Sequence, residues 1–529
     1  MVDALLFSST RFSSPLLNRT TNTENMGQFL LRVPDEIIQT VDNTVWDDMY
    51  FAGIDGTPWQ TKTQFQDGLL TVEIKVPSSG KFHIPWKVEG VGTRILSTCS
   101  LAPSEEREYD LMIELARGSC YRARILGSEW ERLGIQLDNA FKQHVEVGTN
   151  CFINALTKTK SSESATKETL EAISHHQQAL DLIAQDYAER SIAQRKQRDP
   201  KLTTLLAGSV LATSEDTAAD QNIACLDLYA QTFNTAAVRL NWRGIQAKPD
   251  QFNFTAVVNL IKQYNQIGLR TIAGPMIDLE RELMPDWLMR SADQPDALEQ
   301  ASLNYLEKTI TQLKGTVQLW NCLSGINRSK LIPMDDERMM RFSLSALQTI
   351  RRLDPETPTI LSFDQPFGEY LRKPNSGMPG LKIAETLARS GLGMAGIGLD
   401  IKVNYGKHGS MPRSAIDFSQ KLDRWGTLGL PLLVQISAPG SAGKDEQSLV
   451  HQNEYDNSSH QENSPEDQLE NIAPLLQILL AKPYVHGIVW DGWADQNPHF
   501  MPHSGLIGID QKARPLQQHL CQLRADHLG

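Results

Sequence analysis

The sequence is poor in the features that mark nucleic-acid-binding, membrane-spanning or disulfide-built proteins. Lys and Arg number 51 against 63 Asp and Glu, a formal charge of −12, so the clustered positive face that holds a phosphate backbone is missing. No apolar run approaches the roughly 18 residues that would cross a bilayer. Met1–Thr20 carries an apolar patch at Ala4–Phe7, with no basic region ahead of it and no sustained apolar stretch. It does not read as a secretory leader, and a cytoplasmic location is expected. The six cysteines (Cys99, Cys120, Cys151, Cys225, Cys322, Cys521) are scattered and form no CxxC pair, which argues against a disulfide framework or a cysteine zinc site. No GxGxxG follows the first strand of the C-terminal region, and no cofactor is expected.

What is present divides into zones. Residues 1–26 read as a poorly ordered N-terminus. Residues 27–155 read as a β-rich, sandwich-like domain, with strand patterns at Phe29–Val33, Leu69–Val76, Lys81–Val88 and Tyr109–Leu115 punctuated by Gly, Pro, Asp and Ser. Its four tryptophans (Trp46, Trp59, Trp86, Trp130) are expected in core roles rather than as sugar platforms. Residues 161–199 are charged, Ala-rich and nearly free of Gly and Pro, with Leu170, Ile173, Leu180, Ile183 and Tyr187 at helical spacing; they read as a long linker helix. His451–Asp467 is almost without apolar side chains and reads as a surface loop.

From residue 200 to 529 the pattern becomes a regular strand–helix alternation. Strands are expected at Thr204–Leu211, Ala236–Trp242, Arg270–Ile277, Val317–Leu323, Thr359–Phe363, Ala395–Val403, Pro431–Ser437 and Val485–Trp490, each followed by a helical pattern. That is the count of an α/β (β/α)8 TIM barrel. Five segments then carry a resemblance. Asn241-Trp242 ends the second strand, Gln251-Phe252-Asn253-Phe254 opens the following helix, and Pro285-Asp286-Trp287 follows the third strand. Gly396-Ile397-Gly398-Leu399 forms the sixth strand, and Trp490, Gly505-Leu506, Asp510, Lys512 and Pro515 close the chain. Together these resemble glycoside hydrolase family 10, the retaining endo-β-1,4-xylanases. The resemblance implies a β-1,4-linked polysaccharide such as xylan as partner, with no nucleic acid and no membrane. It also implies a cleft in which Trp242, Asn321, Trp490 and Trp493 touch substrate.

The resemblance fails where the chemistry belongs. A retaining glycosidase needs two carboxyl groups about 5–5.5 Å apart. The family's acid/base follows an Asn on the fourth strand, where this chain has Asn321-Cys322, and its nucleophile aligns with Ile436 on the seventh. A one-residue shift there offers Gln435, which is no carboxylate either. Asp278, Glu280, Asp364, Asp400, Asp491 and Asp495 follow or end other strands. Asp400 and Asp491, which continue apolar strands directly, are the candidates for a relocated pair; Asp495 has a family counterpart and reads as structural. His499 and His503 have metal-ligand spacing for a helix, but Pro498 and Pro502 forbid one, so they read as loop residues and no metal site is expected. The sequence thus describes a sugar-active scaffold that binds glycan, with any hydrolysis outside the standard retaining mechanism. The alternatives are a structural or interaction scaffold and a hydrolase using the relocated Asp pair.

Overall fold

The computed structural model describes residues 27–41, 43–75, 77–158, 163–212, 223–279, 283–290, 294–328, 334–373, 376–406, 409–450 and 463–529. Its N-terminal part holds two small sheets. Strands β1 (Gly27–Arg32), β3 (Thr61–Gln66), β4 (Leu69–Ile74) and β7 (Glu108–Asp110) form one, in the order β3-β4-β1-β7; β2 (Tyr50–Ala52), β5 (Lys81–Val88) and β6 (Gly92–Ser97) form the other. Alternation in β4 buries Leu70, Val72 and Ile74 on one face, as a half-buried strand requires. The two sheets share one core, in which Phe29 stacks on Phe51 with ring centroids 4.1 Å apart.

The expected strand at Tyr109–Leu115 is a correction. The Asp110 carboxylate accepts from the Ile113 amide at 3.1 Å and caps a helix over Leu111–Arg132, followed by another over Asn139–Thr157. Asp at an N-cap satisfies an amide the first turn leaves open, and Leu111, Met112, Leu115, Ala116 and Cys120 then face the sheets at helical spacing. The sheets therefore do not stand alone as a sandwich, because helices complete their core. The third long helix, Glu163–Arg198, is packed along its length, burying Ile173, Leu180, Ile183 and Ile192. It lies between the other two and the barrel helices Ala415–Gly426 and Pro465–Ala481. Polar links tie the parts together: Arg122 pairs with Asp417, Arg372 with Asp48 at 2.8 Å, and the Ile95 amide donates to the Pro412 carbonyl at 3.1 Å.

The rest is a closed parallel barrel of β8 (Leu205–Leu211), β9 (Thr235–Arg239), β10 (Arg270–Ala273), β11 (Ile277–Asp278), β12 (Leu319–Ser324), β13 (Thr359–Asp364), β14 (Met394–Lys402), β15 (Leu432–Ser437) and β16 (Val485–Trp490). Pairing of β10 with β12 closes it, and β10 and β11 are two pieces of one stave, giving eight positions. The break falls at Gly274-Pro275, where φ of Gly274 is 121° and a Cβ would lie 2.1 Å from the Asn321 carbonyl. Only glycine fits that approach. The barrel interior alternates, broken by register shifts such as that at Asn321/Leu323. Leu205, Ala207, Ala237, Ile272, Leu319, Ile360, Leu433 and Val489 fill its base, while out-of-phase neighbours such as Leu432, Val434 and Ile436 pack outward under the helices. The loop reading of His451–Asp467 is shortened at its end, because Ser464 and Asp467 form a capping box that starts the helix at Pro465; residues 451–462 lie outside the described residues. No helix among the described residues is long and apolar enough to cross a membrane.

Candidate functional site: the mouth of the barrel

One step above the apolar base, toward the C-terminal strand ends, the inward positions turn polar. Ser209, Arg239, Asn321, Ser362, Asp400, Gln435 and Asp491 follow the base residues at the two-residue period, with Asp278, Asp364 and Lys402 at the same face. Most members of this ring are linked to one another. Arg239 donates from Nε to Ser209 Oγ at 3.1 Å and from Nη2 to Asp491 Oδ2 at 3.2 Å, with Asp278 3.6 Å from Nη1. The Gln435 amide nitrogen donates to Asp400 Oδ1 at 3.0 Å and to Asp491 Oδ2 at 3.2 Å. Lys402 pairs with Asp364, lies 3.5 Å from Asp400, and Arg328 holds the other Asp364 oxygen. Between the adjacent staves β12 and β13, Ser362 Oγ donates to Asn321 Oδ1 at 3.0 Å. Arg239, Asp364, Lys402 and Asp491 are at most 3% exposed. Ions this deep persist when each is paired and hydrogen-bonded, as these are.

An apolar cap covers the ring. Tyr405, Phe500 and Met501 are buried against one another with Leu211, Leu283 and Val450 around them, and the Arg239 guanidinium lies 4.3 Å from the Phe500 ring centre. The concavity that reaches the ring is a pocket of about 290 Å³ at the ends of β8, β9 and β16, lined by Ser209, Arg239, Tyr264, Asp491, Trp493 and Gln496 among others. A larger cavity, about 1370 Å³, lies elsewhere, between the helices Glu163–Arg198 and Pro465–Ala481.

The two positions aligned with the family's glutamates face away from this ring. Cys322 sits where the β12–β13 register shifts, fully buried among the outer core residues, and burial pushes its thiol far above the usual range. A thiol kept neutral in this way is neither nucleophile nor acid. Ile436 also belongs to the outer core. The inward neighbours are Asn321 and Gln435, both neutral amides. Asp400 and Asp491 are brought together through Gln435, and each has a cationic partner. Glu280 lies outside the described residues.

The aromatic candidates separate in the same way. Trp242 is buried, stacks on Tyr305 at 4.5 Å and donates to Gln246 Oε1 at 2.8 Å. Trp490 is buried and donates to the Ser504 carbonyl at 2.9 Å; Trp320 donates to Asp354 Oδ2 at 3.0 Å. Trp287 donates to the Gln246 carbonyl at 3.0 Å. Trp493 lines the 290 Å³ pocket. Asp495 is held by Arg514 at 2.6 Å and by the Gly505 amide at 2.6 Å.

His499 is bonded at both ring nitrogens, Nδ1 donating to the Asn497 carbonyl at 2.8 Å and Nε2 sharing a proton with Asp445 Oδ2 at 2.9 Å. Burial opposes its charging, but Asp445 and Asp495 outweigh it and raise its pKa. Burial likewise opposes Asp445's ionisation, yet the hydrogen bond and charge of His499 and the His503 amide hold it well below the usual carboxylate range.

Sequence reasoning missed Arg239 and the part played by Lys402. Both lie on apolar strands in phase with inward residues, Arg239 two after Ala237 and Lys402 two after Asp400. A charge in that phase inside a closed barrel needs a partner across the interior, and that rule would have found them.

No family model matches the sequence, and no curated protein matches it. Solved structures do. Native xylanase 10B from Thermotoga maritima shares 13% identity at a TM-score of 0.46, covering 64% of this chain and 98% of that one. Xylanase 10B from Thermotoga petrophila RKU-1 in complex with xylobiose shares 14% at 0.45, covering 63% and 96%. A GH10 structure from Paenibacillus barcinonensis shares 14% at 0.45, covering 64% and 97%. The chain is similar to these xylanases over about two thirds of its length, and the barrel itself is established by its own strand pairing.

Proposed function

We propose that this protein is a xylanase-like barrel that binds a short β-linked saccharide and does not cleave it by the retaining mechanism. The observation that carries this reading is the charge-paired ring. The inward positions at the ends of the fourth and seventh staves are the amides Asn321 and Gln435, and Asp400 and Asp491 are tied to Lys402, Arg239 and Gln435. A general acid must release its proton to a leaving oxygen, and a nucleophile must reach an anomeric carbon; these carboxylates are engaged and lie beneath a cap. Recognition has better support. The pocket beside the ring offers Trp493 and Tyr264 as apolar walls and Arg239, Asp491 and Gln496 as polar groups, the mixture that sugar faces and hydroxyls require. Its volume suits about one or two sugar units rather than a polymer threaded along an open cleft.

Thermal unfolding with xylobiose, xylotriose and cellobiose, run beside a reducing-sugar assay on xylan, β-glucan and mannan, tests this. Binding raises the melting temperature with no sugar released. Neither binding nor release would leave a structural scaffold in its place. A second reading has one observation in its favour: the Gln435 amide holds Asp400 and Asp491 close together, within about the range that flanks a glycosidic bond. Turnover abolished by Asp400→Asn or Asp491→Asn would establish that relocated pair and overturn the first reading.

A further inference from the structure

The geometry points to a divalent-metal site at Asp445, Asp495 and His499, with His503 beside it, joining the loop after β15 to the loop after β16. One oxygen, one oxygen and one ring nitrogen from these three residues lie within 4.8 Å of one another. His499 Nε2 is 2.9 Å from Asp445 Oδ2 and 3.8 Å from Asp495 Oδ1, and His503 Nδ1 is 3.6 Å from Asp445 Oδ2. Ligands about 2.1 Å from a tetrahedral ion lie about 3.4 Å from each other, in the middle of these separations.

The outer contacts have the arrangement that a metal needs. His499 Nδ1 faces the Asn497 carbonyl at 2.8 Å and His503 Nε2 faces the Gly443 carbonyl at 2.8 Å. A carbonyl is an acceptor, so each of those nitrogens carries a hydrogen, and once a metal displaces the second proton the opposite nitrogen presents its lone pair toward Asp445. Metal-bound histidines are fixed in this way by a backbone carbonyl. Asp495 is oriented by Arg514 and the Gly505 amide, and Asp445 Oδ1 accepts from the Gln447 amide at 3.0 Å. Asp445, Asp495 and His499 are each at most 9% exposed. A metal ion would take the place of the proton that now lies between His499 Nε2 and Asp445 Oδ2. Asp445 Oδ2 also accepts the His503 amide at 2.7 Å, and one ion would serve all three side chains. Mixed imidazole and carboxylate donors select Zn²⁺ or a neighbouring first-row ion over Mg²⁺ or Ca²⁺. Such an ion would staple together the two loops that supply Val450, Phe500 and Met501 to the cap.

A competing cluster, Cys151 with Glu168 and Glu171, lies on the helices of the N-terminal part and supplies the control. The test titrates metal-free full-length protein with Zn²⁺ by calorimetry and with Co²⁺ by visible absorption. The expected result is one equivalent bound, with affinity at least tenfold weaker in Asp445→Asn and in His499→Gln and unchanged in Cys151→Ser. No stoichiometric binding, or binding that is lost only in Cys151→Ser, overturns the site. Should either loop variant unfold, the ring resonances of His499 and His503 in the unaltered protein decide: movement on adding one equivalent of Zn²⁺ supports the site, and unchanged resonances mean that protons alone hold the cluster.

Discussion

The two ends of the barrel interior are built from opposite materials. At the base, side chains such as Ile272, Ile360, Leu433 and Val489 pack without a polar atom among them. At the mouth, Arg239, Lys402, Asp364, Asp400 and Asp491 are buried to the same degree and hold one another by charge and hydrogen bonds. The base gains stability from each buried methylene independently. The mouth is collective: removing one ion strands its partners in a low-dielectric interior. Equal burial therefore has unequal consequences, and that contrast can be tested.

The largest effect is expected at the mouth. Lys402→Met leaves Asp364 and Asp400 without their shared cation and should lower unfolding free energy by about 3–5 kcal/mol, read from denaturant midpoints; a loss under 1 kcal/mol would mean that the ring is not collective. Next comes the base, where Leu433→Ala should cost about 2–4 kcal/mol while leaving any saccharide-dependent shift in melting temperature intact. A buried ionisable group outside the ring sharpens the point. His176 lies wholly buried between the N-terminal helices, and burial lowers its pKa to about 4 despite some support from the Ala172 backbone. Its folded pKa is below the ordinary value, so the unfolded chain binds the extra proton. Stability is complete above about pH 6.5 and is lost as pH falls toward 4, by on the order of 3 kcal/mol. His176→Leu should flatten that slope in a pH series of thermal melts. The smallest effect belongs to Cys322. A thiol reagent should label exposed Cys225 in the native protein and reach Cys322 only after unfolding, and Cys322→Ala should cost only about 1 kcal/mol.

The same contrast explains what the sequence disclosed. Eight barrel strands were legible because their apolar runs are continuous, and β16 begins and ends where its pattern does, at Val485 and Trp490. The helix at Leu111 was not legible as such, since Leu111-Met112-Ile113 reads equally as strand until Asp110 is recognised as a cap. At the mouth, residue types alone drew attention to Asp400 and Asp491, and a one-residue shift to Gln435, while Arg239 is visible only once strand phase is assigned across the barrel. Partnership across a closed sheet is a property of register, which no single strand carries. The tryptophans show a related limit: Trp242, Trp320 and Trp490 all satisfy their indole N–H within the protein, so a Trp near a strand end marked core more often than cleft.

The outward phase of Cys322 and Ile436 has a consequence for engineering. Returning glutamates to those two places, the obvious graft by alignment, would drive both carboxylates into the oily layer between sheet and helices, where Trp320, Val434 and Leu432 stand, and would yield misfolded protein rather than a repaired enzyme. A transplant that respects the pleat would have to be written at 321 and 435 instead, with Lys402 and Arg239 redesigned in the same step to accept the added negative charge.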